Sequence, residues 1–293
     1  NKMIAESDLL ICLGLSLLQH QCGKNFKDFA KNKKILYVNN NINALKRIKA
    51  DFGNKAYPVK SDTNIFLNEC LNYKTIKNLK FNLKKTNYSF INNSKPVDIL
   101  ANIFNSFEKL KRKKNKIIFS DAGATLSWSY QAANISKSIN LITSYNLHTM
   151  GYSLPAAIGA SLNKKNYSLA IIGDGGFLMN CQELVNFSKT YDNLKLIIIN
   201  NKGYGIIRQT QDEFFKSNYV GSAISSKNNL SVYDPATICK GFDIKVLEKN
   251  ENITKNEINL FLNSRYQCMV ININHNYRVS YTKPKNKNEL FYY

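Results

Sequence analysis

The chain has 293 residues, of which 44% are hydrophobic, and a formal net charge of +21 at pH 7. This length suffices for one large or two ordinary domains with a real hydrophobic core, and the composition is that of a globular protein. No apolar run approaches the roughly 20 residues of a membrane helix, and the first residues lack a secretory signal pattern, so we expect a cytoplasmic protein without membrane contact.

The positive charge alone would favour nucleic-acid binding. The lysines, however, occur along the whole chain among many asparagines and isoleucines, three residue types that an AT-rich genome favours. The densest run, residues 109–116, ends a predicted helix, where cations interact favourably with the helix dipole. We predict no specific nucleic-acid partner and keep a basic nucleic-acid-binding protein as an alternative hypothesis.

The six cysteines are scattered, with no Cys-x-x-Cys spacing, and several lie in apolar segments. This pattern predicts buried free thiols rather than a disulfide framework. The three histidines are far apart, which argues against a zinc site.

Strands alternate with helices in the first 75 residues, which indicates a parallel sheet. The predicted elements are a buried strand at 8–14, strands at 34–38 and 56–59, and helices at 42–50 and 64–71. Residues 76–95 are polar, rich in asparagine and lysine and without periodicity, so they are predicted to form a linker.

From residue 96 to the C-terminus the βα pattern returns. Ser94 and Pro96 predict a helix start, and the helix runs over 97–110. Further on we predict strands at 116–120, 167–172, 194–199, 244–247 and 268–273, and helices at 153–162, near 235–239 and at 255–262. The fold class is therefore α/β, with two Rossmann-like parallel-sheet units at 1–75 and 96–293.

Two polar motifs follow consecutive strands of the second unit. A Gly-Asp-Gly turn at 173–175 follows one strand, and an asparagine pair at 200–201 follows the next. The apolar residues between them recur at i, i+4, i+7 and i+8, the period of one helix face: Phe177, Cys181, Leu184 and Val185. Since open α/β sheets bind ligands at the carboxyl ends of their strands, Asp174 and Asn201 are placed to bind a magnesium-diphosphate group. The alternative is an ordinary turn and a strand end in an asparagine-rich protein.

These motifs resemble the thiamine diphosphate (ThDP) enzymes, and among them the acetolactate synthase-like group. The resemblance covers most of the chain and is densest at 148–159 and 173–215. It implies that residues 1–75 are the second half of a Rossmann-like middle domain and that 96–293 are the ThDP- and Mg²⁺-binding domain. Some members hold FAD in the middle domain, but this chain has no Gly-x-Gly-x-x-Gly motif, so a structural middle domain is expected.

The resemblance implies a set of metal ligands. The side chains of Asp174 and Asn201 and the main-chain carbonyl of Gly203 would bind Mg²⁺, and diphosphate oxygens and water would complete the octahedron. Gly175 and Gly176 would leave room for main-chain amides to approach the phosphates at a helix start.

Further cofactor-binding residues are implied in the same way. Gly123 and Ala124 would place main-chain groups against the diphosphate, although an ordinary strand-to-helix turn is the alternative there. Tyr204 and Gly205 belong to the loop and helix that follow the asparagine pair and approach the substrate pocket.

The segment around residue 150 would contact the aminopyrimidine ring. The resemblance assigns the main-chain carbonyl of His148 to the 4′-amino group. It assigns Met150 the bulky side chain that bends the cofactor, so that the amino group comes close to the thiazolium C2 and removes its proton. The alternative for Met150 is a core-filling role.

Two features separate this chain from the family pattern. A tryptophan often stands at the position of Thr210 in acetolactate synthases, so the smaller polar residue favours a larger or more polar acceptor than pyruvate. The family's activating glutamate lies on an N-terminal pyrimidine-binding domain, whereas this chain starts in the middle domain. Neither Glu183 nor Glu213 occupies the family position, so we expect no catalytic residue in this chain.

The expected function is the ThDP- and Mg²⁺-binding part of a carboligase or decarboxylase for a 2-oxo acid such as pyruvate. The chain alone is expected to be inactive, and a homo-oligomer (dimer or tetramer) or a partner chain would supply the pyrimidine domain. A catalytically inactive ThDP-binding or regulatory partner subunit is the alternative.

Overall fold

The structure, a computed structural model, describes residues 4, 7–22, 25–73, 94–111, 115–133, 139–145, 147–188, 193–222 and 233–280. It divides into two compact units, one within residues 1–88 and one within 89–280. Most of the expected linker at 76–95 lies outside the described residues. Of its last two residues, Ser94 precedes a helix and Lys95 begins it.

The first unit is a three-stranded parallel sheet with helices between the strands. The strand order is β1-β2-β3. The strands are β1 (Leu9–Leu13), β2 (Lys34–Asn39) and β3 (Ala56–Lys60), and the helices are α1 (Gln19–Cys22), α2 (Ile42–Phe52) and α3 (Thr63–Asn72). The side chains of Asn41 and Asp62 cap α2 and α3 by accepting main-chain N–H groups, as their residue types favour.

The prediction that the first strand is buried was wrong. β1 lies at the edge of its sheet, and Leu9 and Ile11 are 46% and 54% exposed, whereas Cys12 is buried. Successive side chains of a strand point to opposite faces of the sheet, so Leu9 and Ile11 share an exposed face while Cys12 lies on the covered face, and a continuous apolar run does not ensure burial of both.

The second unit is a six-stranded sheet in the order β5-β4-β6-β7-β9-β8, with every pairing parallel. Its strands are β4 (Asn115–Ser120), β5 (Ile139–Thr143), β6 (Asn166–Gly173), β7 (Leu194–Asn200), β8 (Val246–Asn250) and β9 (Cys268–Asn272). Because all six run in one direction, their carboxyl ends meet at one edge of the sheet. The predicted α/β class with two parallel-sheet units is confirmed.

Helices cover both faces of the second sheet. They are α4 (Lys95–Glu108), α5 (Ala124–Ala132), α6 (Ser153–Ser161), α7 (Asp174–Met179), α8 (Leu184–Ser188), α9 (Gly205–Phe214), α10 (Pro235–Gly241) and α11 (Lys255–Asn263). Along β6, Leu169 and Ile171 join a core cluster with α4 and α11, whereas Ala170 and Ile172 join a second cluster with α6 and α10. Burial on both faces explains the continuous apolar runs at 169–172 and 196–199 in the central strands.

The helix expected across Phe177, Cys181, Leu184 and Val185 is interrupted. Asn180 has φ −137° and ψ 28° and ends α7, a 3₁₀ turn follows at Cys181–Glu183, and α8 begins at Leu184. Phe177 and Leu184 are fully buried, but Val185 is 45% exposed. The helical spacing of apolar residues therefore continues across a break between two short helices.

Two edge strands also differ from the prediction. β5 was not predicted, because its residues alternate between half-buried and exposed and give a weak apolar signal. β8 begins at Val246, two residues later than expected.

Within the described residues, no helix combines the length and apolarity needed to cross a membrane.

Candidate functional site

The two predicted metal-binding side chains lie at neighbouring strand ends. β6 and β7 pair in parallel with Gly173 opposite Ile199. Asp174 begins the helix directly after β6, and Asn201 directly follows β7. Both residues are buried, at 6% and 7% exposure, so two hard oxygen donors are held away from bulk water at one edge of the sheet.

The Asp174 carboxylate, at the end of β6, is hydrogen-bonded to the loop that follows β7. Its Oδ2 accepts a hydrogen bond of 2.7 Å from the main-chain N–H of Gly203. Burial raises the pKa of Asp174 to about 6, and the main-chain N–H groups of Gly203, Asn201 and Gly175 oppose the rise. The structure therefore brings together the three residues that the sequence proposed as metal ligands.

The two asparagines of the pair have different surroundings. Asn200 donates from Nδ2 to Asn272 Oδ1 at 2.8 Å, and its Oδ1 accepts from the Lys202 N–H at 3.1 Å. Asn200 thereby joins β7 to its neighbour β9, since residues 200 and 272 are register partners. This hydrogen bonding gives Asn200 a structural role beside Asn201.

Three glycines of the site are required by close packing. A Cβ on Gly175 would lie 2.4 Å from the Tyr204 ring, and one on Gly205 would lie 2.6 Å from Asn201 Nδ2. A Cβ on Gly176 would lie 2.2 Å from Asp121 Oδ2. The sequence explained Gly175 and Gly176 by access of a phosphate, whereas the structure shows protein side chains against both.

The segment expected beneath the aminopyrimidine follows β5. His148 has a left-handed backbone with φ +48°, and its N–H donates to the Ser144 carbonyl at 2.7 Å. Met150 is 38% exposed, so the core-filling alternative is wrong. Gly123, with φ +82°, precedes α5, and Ala124 is the first residue of that helix.

Asp121 lies in the segment that the sequence proposed for the diphosphate, but the sequence assigned no role to its side chain. It lies just after β4 and is fully buried. Its Oδ2 accepts from the Gly151 N–H at 2.9 Å, and its Oδ1 accepts from the Ser153 N–H at 3.0 Å. Burial raises the pKa of Asp121, against the lowering effect of these N–H groups. A carboxylate placed directly after an apolar strand was the signal that would have identified it.

Arg208 is a second such residue. It lies on α9, is 3% exposed, and donates from Nη2 to the Asn201 carbonyl at 3.4 Å. Its Nε has no hydrogen-bond partner within the described parts of the chain. Burial lowers the pKa of Arg208 and Arg278 lowers it further, whereas Asp174 raises it. Arg208 thus places a positive charge where it interacts electrostatically with the Asp174 carboxylate.

The remaining candidates make local contacts. Thr210 is exposed, and its Oγ1 donates to the Ile206 carbonyl at 3.0 Å. Glu183 accepts from Asn186 at 3.0 Å, a neighbour three positions along the chain. Glu213 accepts a long hydrogen bond of 3.4 Å from Gln209 on the same helix. These bonds are typical of residues on a helix surface.

The donor set suits a divalent cation that arrives with its own oxygen ligands. Over the residues that the structure describes, no three His, Cys, Asp or Glu side chains form a metal-binding group. The set formed by Asp174, Asn201 and Gly203 offers one carboxylate, one amide and one carbonyl. Mg²⁺ prefers six oxygen ligands and is commonly bound by few protein groups plus substrate phosphates and water. These residues therefore fit Mg²⁺ together with a diphosphate.

Comparison with known proteins identifies the same region. The family model described as "Thiamine pyrophosphate enzyme, C-terminal TPP binding domain" matches residues 121–273, just over half of the chain. This range begins at the buried Asp121 and includes the ends of β6 and β7, with Asp174 and Asn201.

Similar proteins are acetolactate synthases. The probable acetolactate synthase large subunit of Methanococcus aeolicus is 28% identical in an alignment 292 residues long that covers 92% of this chain and 46% of that protein. The acetolactate synthase isozyme 1 large subunit of Escherichia coli is 34% identical over 137 residues, 46% of this chain and 24% of that protein. The chain thus spans less than half the length of either relative.

A solved structure shares the fold. The thiamine diphosphate-dependent 4-hydroxybenzoylformate decarboxylase of Rhodococcus jostii matches 95% of this chain and 51% of its own, with a TM-score of 0.68 and 15% identity. Together with the family match over residues 121–273, these similarities show that the chain belongs to the thiamine diphosphate enzymes and carries the ThDP-binding domain of an acetolactate synthase-like member.

Proposed function

We propose that the second unit binds ThDP through Mg²⁺ and forms the diphosphate half of the active site of a carboligase or decarboxylase. The observation that carries this proposal is the pair of buried oxygen donors, Asp174 and Asn201, at adjacent parallel strand ends. The resemblance to acetolactate synthases favours a 2-oxo acid such as pyruvate as the donor substrate.

The metal would be held by Asp174, Asn201 and the carbonyl of Gly203. The Gly203 N–H already donates to the Asp174 carboxylate at 2.7 Å, so the main chain at Gly203 is held beside the proposed cation. Arg208 also holds this loop, because its side chain donates a hydrogen bond to the Asn201 carbonyl. Preformed ligands reduce the ordering cost of binding.

The diphosphate and the rings would meet main-chain groups. Gly123, Ala124 and Gly176 border the proposed diphosphate position, and His148 would offer its carbonyl to the aminopyrimidine. The exposed Met150 would support the bend between the two rings. When bound, ThDP supplies a nucleophilic carbon that takes up the electron pair left by decarboxylation of a 2-oxo acid.

The residue that activates the aminopyrimidine would come from a pyrimidine-type domain outside residues 1–293. We propose a homo-oligomer or a partner chain as its source. Leu147, 83% exposed, and Met150, 38% exposed, belong to the segment that would face the aminopyrimidine and this added domain.

The six cysteines are free, which supports the cytoplasm as the proposed compartment, because reducing compartments keep thiols free.

We propose no nucleic-acid-binding function from the basic composition. Binding of nucleic acid with a steep salt dependence, together with no binding of ThDP, would favour the alternative of a basic nucleic-acid-binding protein.

Titration calorimetry tests the proposal. ThDP is titrated into the protein with Mg²⁺ and, in a second series, with a chelator. We expect binding only with Mg²⁺, and Asn201→Ala is expected to weaken it more than about tenfold through loss of a metal ligand. Asn186→Ala is a matched control, because Asn186 is exposed and bonds only locally to Glu183. Binding that is absent, or indifferent to Mg²⁺ and to Asn201, would contradict the proposal.

Turnover distinguishes an active component from an inactive partner subunit. Release of CO₂ from pyruvate is measured for the chain alone and after addition of a pyrimidine-type domain. Activity that depends on the added domain supports the carboligase or decarboxylase, whereas ThDP binding without turnover in either case supports the inactive subunit. Acceptor choice is read by comparing pyruvate alone with pyruvate plus a keto-sugar, since Thr210 favours the second.

A further inference from the structure

We propose that Asp121 is a positioning residue that couples the aminopyrimidine side of the ThDP site to its diphosphate side. The inference rests on the proposed function and assigns a role to a side chain that touches neither the metal nor the cofactor. Asp121 acts through the main chain of Gly151 and Ser153, and so it sets the position of the neighbouring Met150.

The first support is the hydrogen bonding of the carboxylate. Each oxygen accepts one main-chain N–H, Oδ2 from Gly151 at 2.9 Å and Oδ1 from Ser153 at 3.0 Å. These partners lie 30 and 32 positions away in sequence. Asp121 is fully buried, and a buried carboxylate forms strong, directional bonds of this kind. Its two bonds fix where α6 begins.

The second support is the contact with the diphosphate side. A Cβ on Gly176 would come within 2.2 Å of Asp121 Oδ2, so the same oxygen that binds Gly151 also packs on the first turn of α7. Asp174, the proposed metal ligand, begins that helix. One carboxylate therefore contacts both the segment around Met150 and the turn that carries the metal ligand.

The third support is that Gly151 is held from both sides. Its carbonyl accepts from Asn180 Nδ2 at 3.0 Å, and Asn180 ends α7. Gly151 has φ +81°, and a Cβ there would lie 2.8 Å from Asn180 Nδ2 and 2.9 Å from Met179 Cβ. Because its N–H donates to Asp121 and its carbonyl accepts from Asn180, Gly151 has little freedom to move. Met150 directly precedes this residue.

The test compares two ligands on the full chain. ThDP contacts both sides of the proposed site, whereas inorganic pyrophosphate, also with Mg²⁺, contacts the diphosphate side only. Asp121→Asn keeps the size of the side chain but replaces one acceptor with an N–H₂ group that faces an N–H donor. We expect ThDP to bind about tenfold more weakly, and pyrophosphate to change less than about threefold. A merely destabilising change would weaken both ligands alike.

A second variant guards against misfolding of the first. Asn180→Ala removes the bond to the Gly151 carbonyl at a half-buried position and is expected to shift the ratio of the two affinities in the same direction. Asp234→Asn is the matched control. Asp234 also accepts two main-chain N–H groups, from Ala236 and Thr237, at the start of α10, and its substitution is expected to leave the ratio unchanged.

Hydrogen exchange gives a readout independent of ligand. In Asp121→Asn the amides of residues 147–154 are expected to exchange faster, while those of β6 stay protected. If the unsubstituted protein binds neither ligand, the proposed function fails and this inference with it. If it binds both and the two variants keep its affinity ratio and its exchange pattern, the coupling role of Asp121 is overturned while the proposed function stands.

Discussion

The two units share a parallel α/β design but differ in what they bury at the carboxyl edge of the sheet. In the first unit, the polar residues after the strands are exposed caps: Asn41 caps α2 and Asp62 caps α3. In the second unit, Asp121, Asp174 and Asn201 lie at equivalent strand ends with 0%, 6% and 7% exposure. Every buried polar or charged side chain among the described residues belongs to the second unit.

This difference shows that the fold supplies the place for a site and the buried polar groups supply its chemistry. A carboxylate that caps a helix in water stabilises that helix. A carboxylate that is buried among main-chain N–H groups, as Asp174 is, costs desolvation free energy, which the proposed metal binding would offset. The comparison predicts that substitution of a polar residue after a strand changes ThDP affinity in the second unit and only stability in the first.

The largest expected effect separates the two aspartates. Asp174→Ala should abolish Mg²⁺-dependent ThDP binding, a loss of more than about 100-fold, because it removes the charged metal ligand. Asp62→Ala should leave the affinity unchanged and lower the stability of the first unit by about 1 kcal/mol through loss of a helix cap. Calorimetric titration and urea unfolding measure the two quantities. Equal ThDP affinity in both variants would break the comparison.

Glycine substitutions sharpen the same contrast inside the second unit. Gly175→Ala is expected to destabilise the protein by about 1–3 kcal/mol through overpacking, because its Cβ would lie 2.4 Å from the Tyr204 ring. Gly159→Ala is the control within α6, where a Cβ meets nothing within 4 Å. Helix propensity predicts that this control is stabilised by up to about 1 kcal/mol. Thermal unfolding of the two variants should therefore shift in opposite directions.

The buried carboxylate predicts an unusual pH dependence for the metal-free protein. The pKa of Asp174 is raised from 3.8 in the unfolded chain to about 6 in the folded one. The folded state therefore binds more protons between these values, and stability falls as the pH rises towards and through 6. Between pH 5 and pH 7 this group alone should cost about 1 kcal/mol.

Urea unfolding in the presence of a chelator, at pH 5 and pH 7, measures this effect. Asp174→Asn does not titrate, so the difference between the two pH values should shrink by about 1 kcal/mol relative to the unsubstituted protein. An unchanged pH dependence would show that Asp174 is not buried in the way the structure indicates.

The smallest expected effect concerns His148. If only its carbonyl is used, His148→Gly keeps ThDP affinity within about threefold and changes stability by less than about 1 kcal/mol, because glycine adopts the φ of +48° without strain. His148→Val should destabilise the segment, since a β-branched residue rarely adopts positive φ. Loss of ThDP binding in the glycine variant would assign a role to the imidazole instead.

The sequence predicted the parts of the fold that depend on continuous local patterns. β6 and β7 contain continuous apolar runs at 169–172 and 196–199 and are largely buried, so their ends, and with them Asp174 and Asn201, were located correctly. The edge strand β5 has a half-buried pattern that resembles many loops. The interruption at Asn180 was missed because the apolar period continues across it.

The contacts of the supporting residues could not be predicted, because their partners are distant in sequence. Asp121 bonds to residues 30 and 32 positions away, and Asn180 bonds to one 29 positions away. Burial of Arg208 at 3% exposure results from the packing of α9 and leaves no local sequence pattern.

A crystal of the protein grown with ThDP and Mn²⁺ in place of Mg²⁺ tests the central claim most directly. The anomalous signal locates the metal without reference to the protein atoms. We predict one peak at about 2.0–2.3 Å from carboxylate and amide oxygens of Asp174 and Asn201, with the diphosphate on its far side. A peak bound elsewhere, or bound ThDP with these two side chains out of contact, would contradict the account.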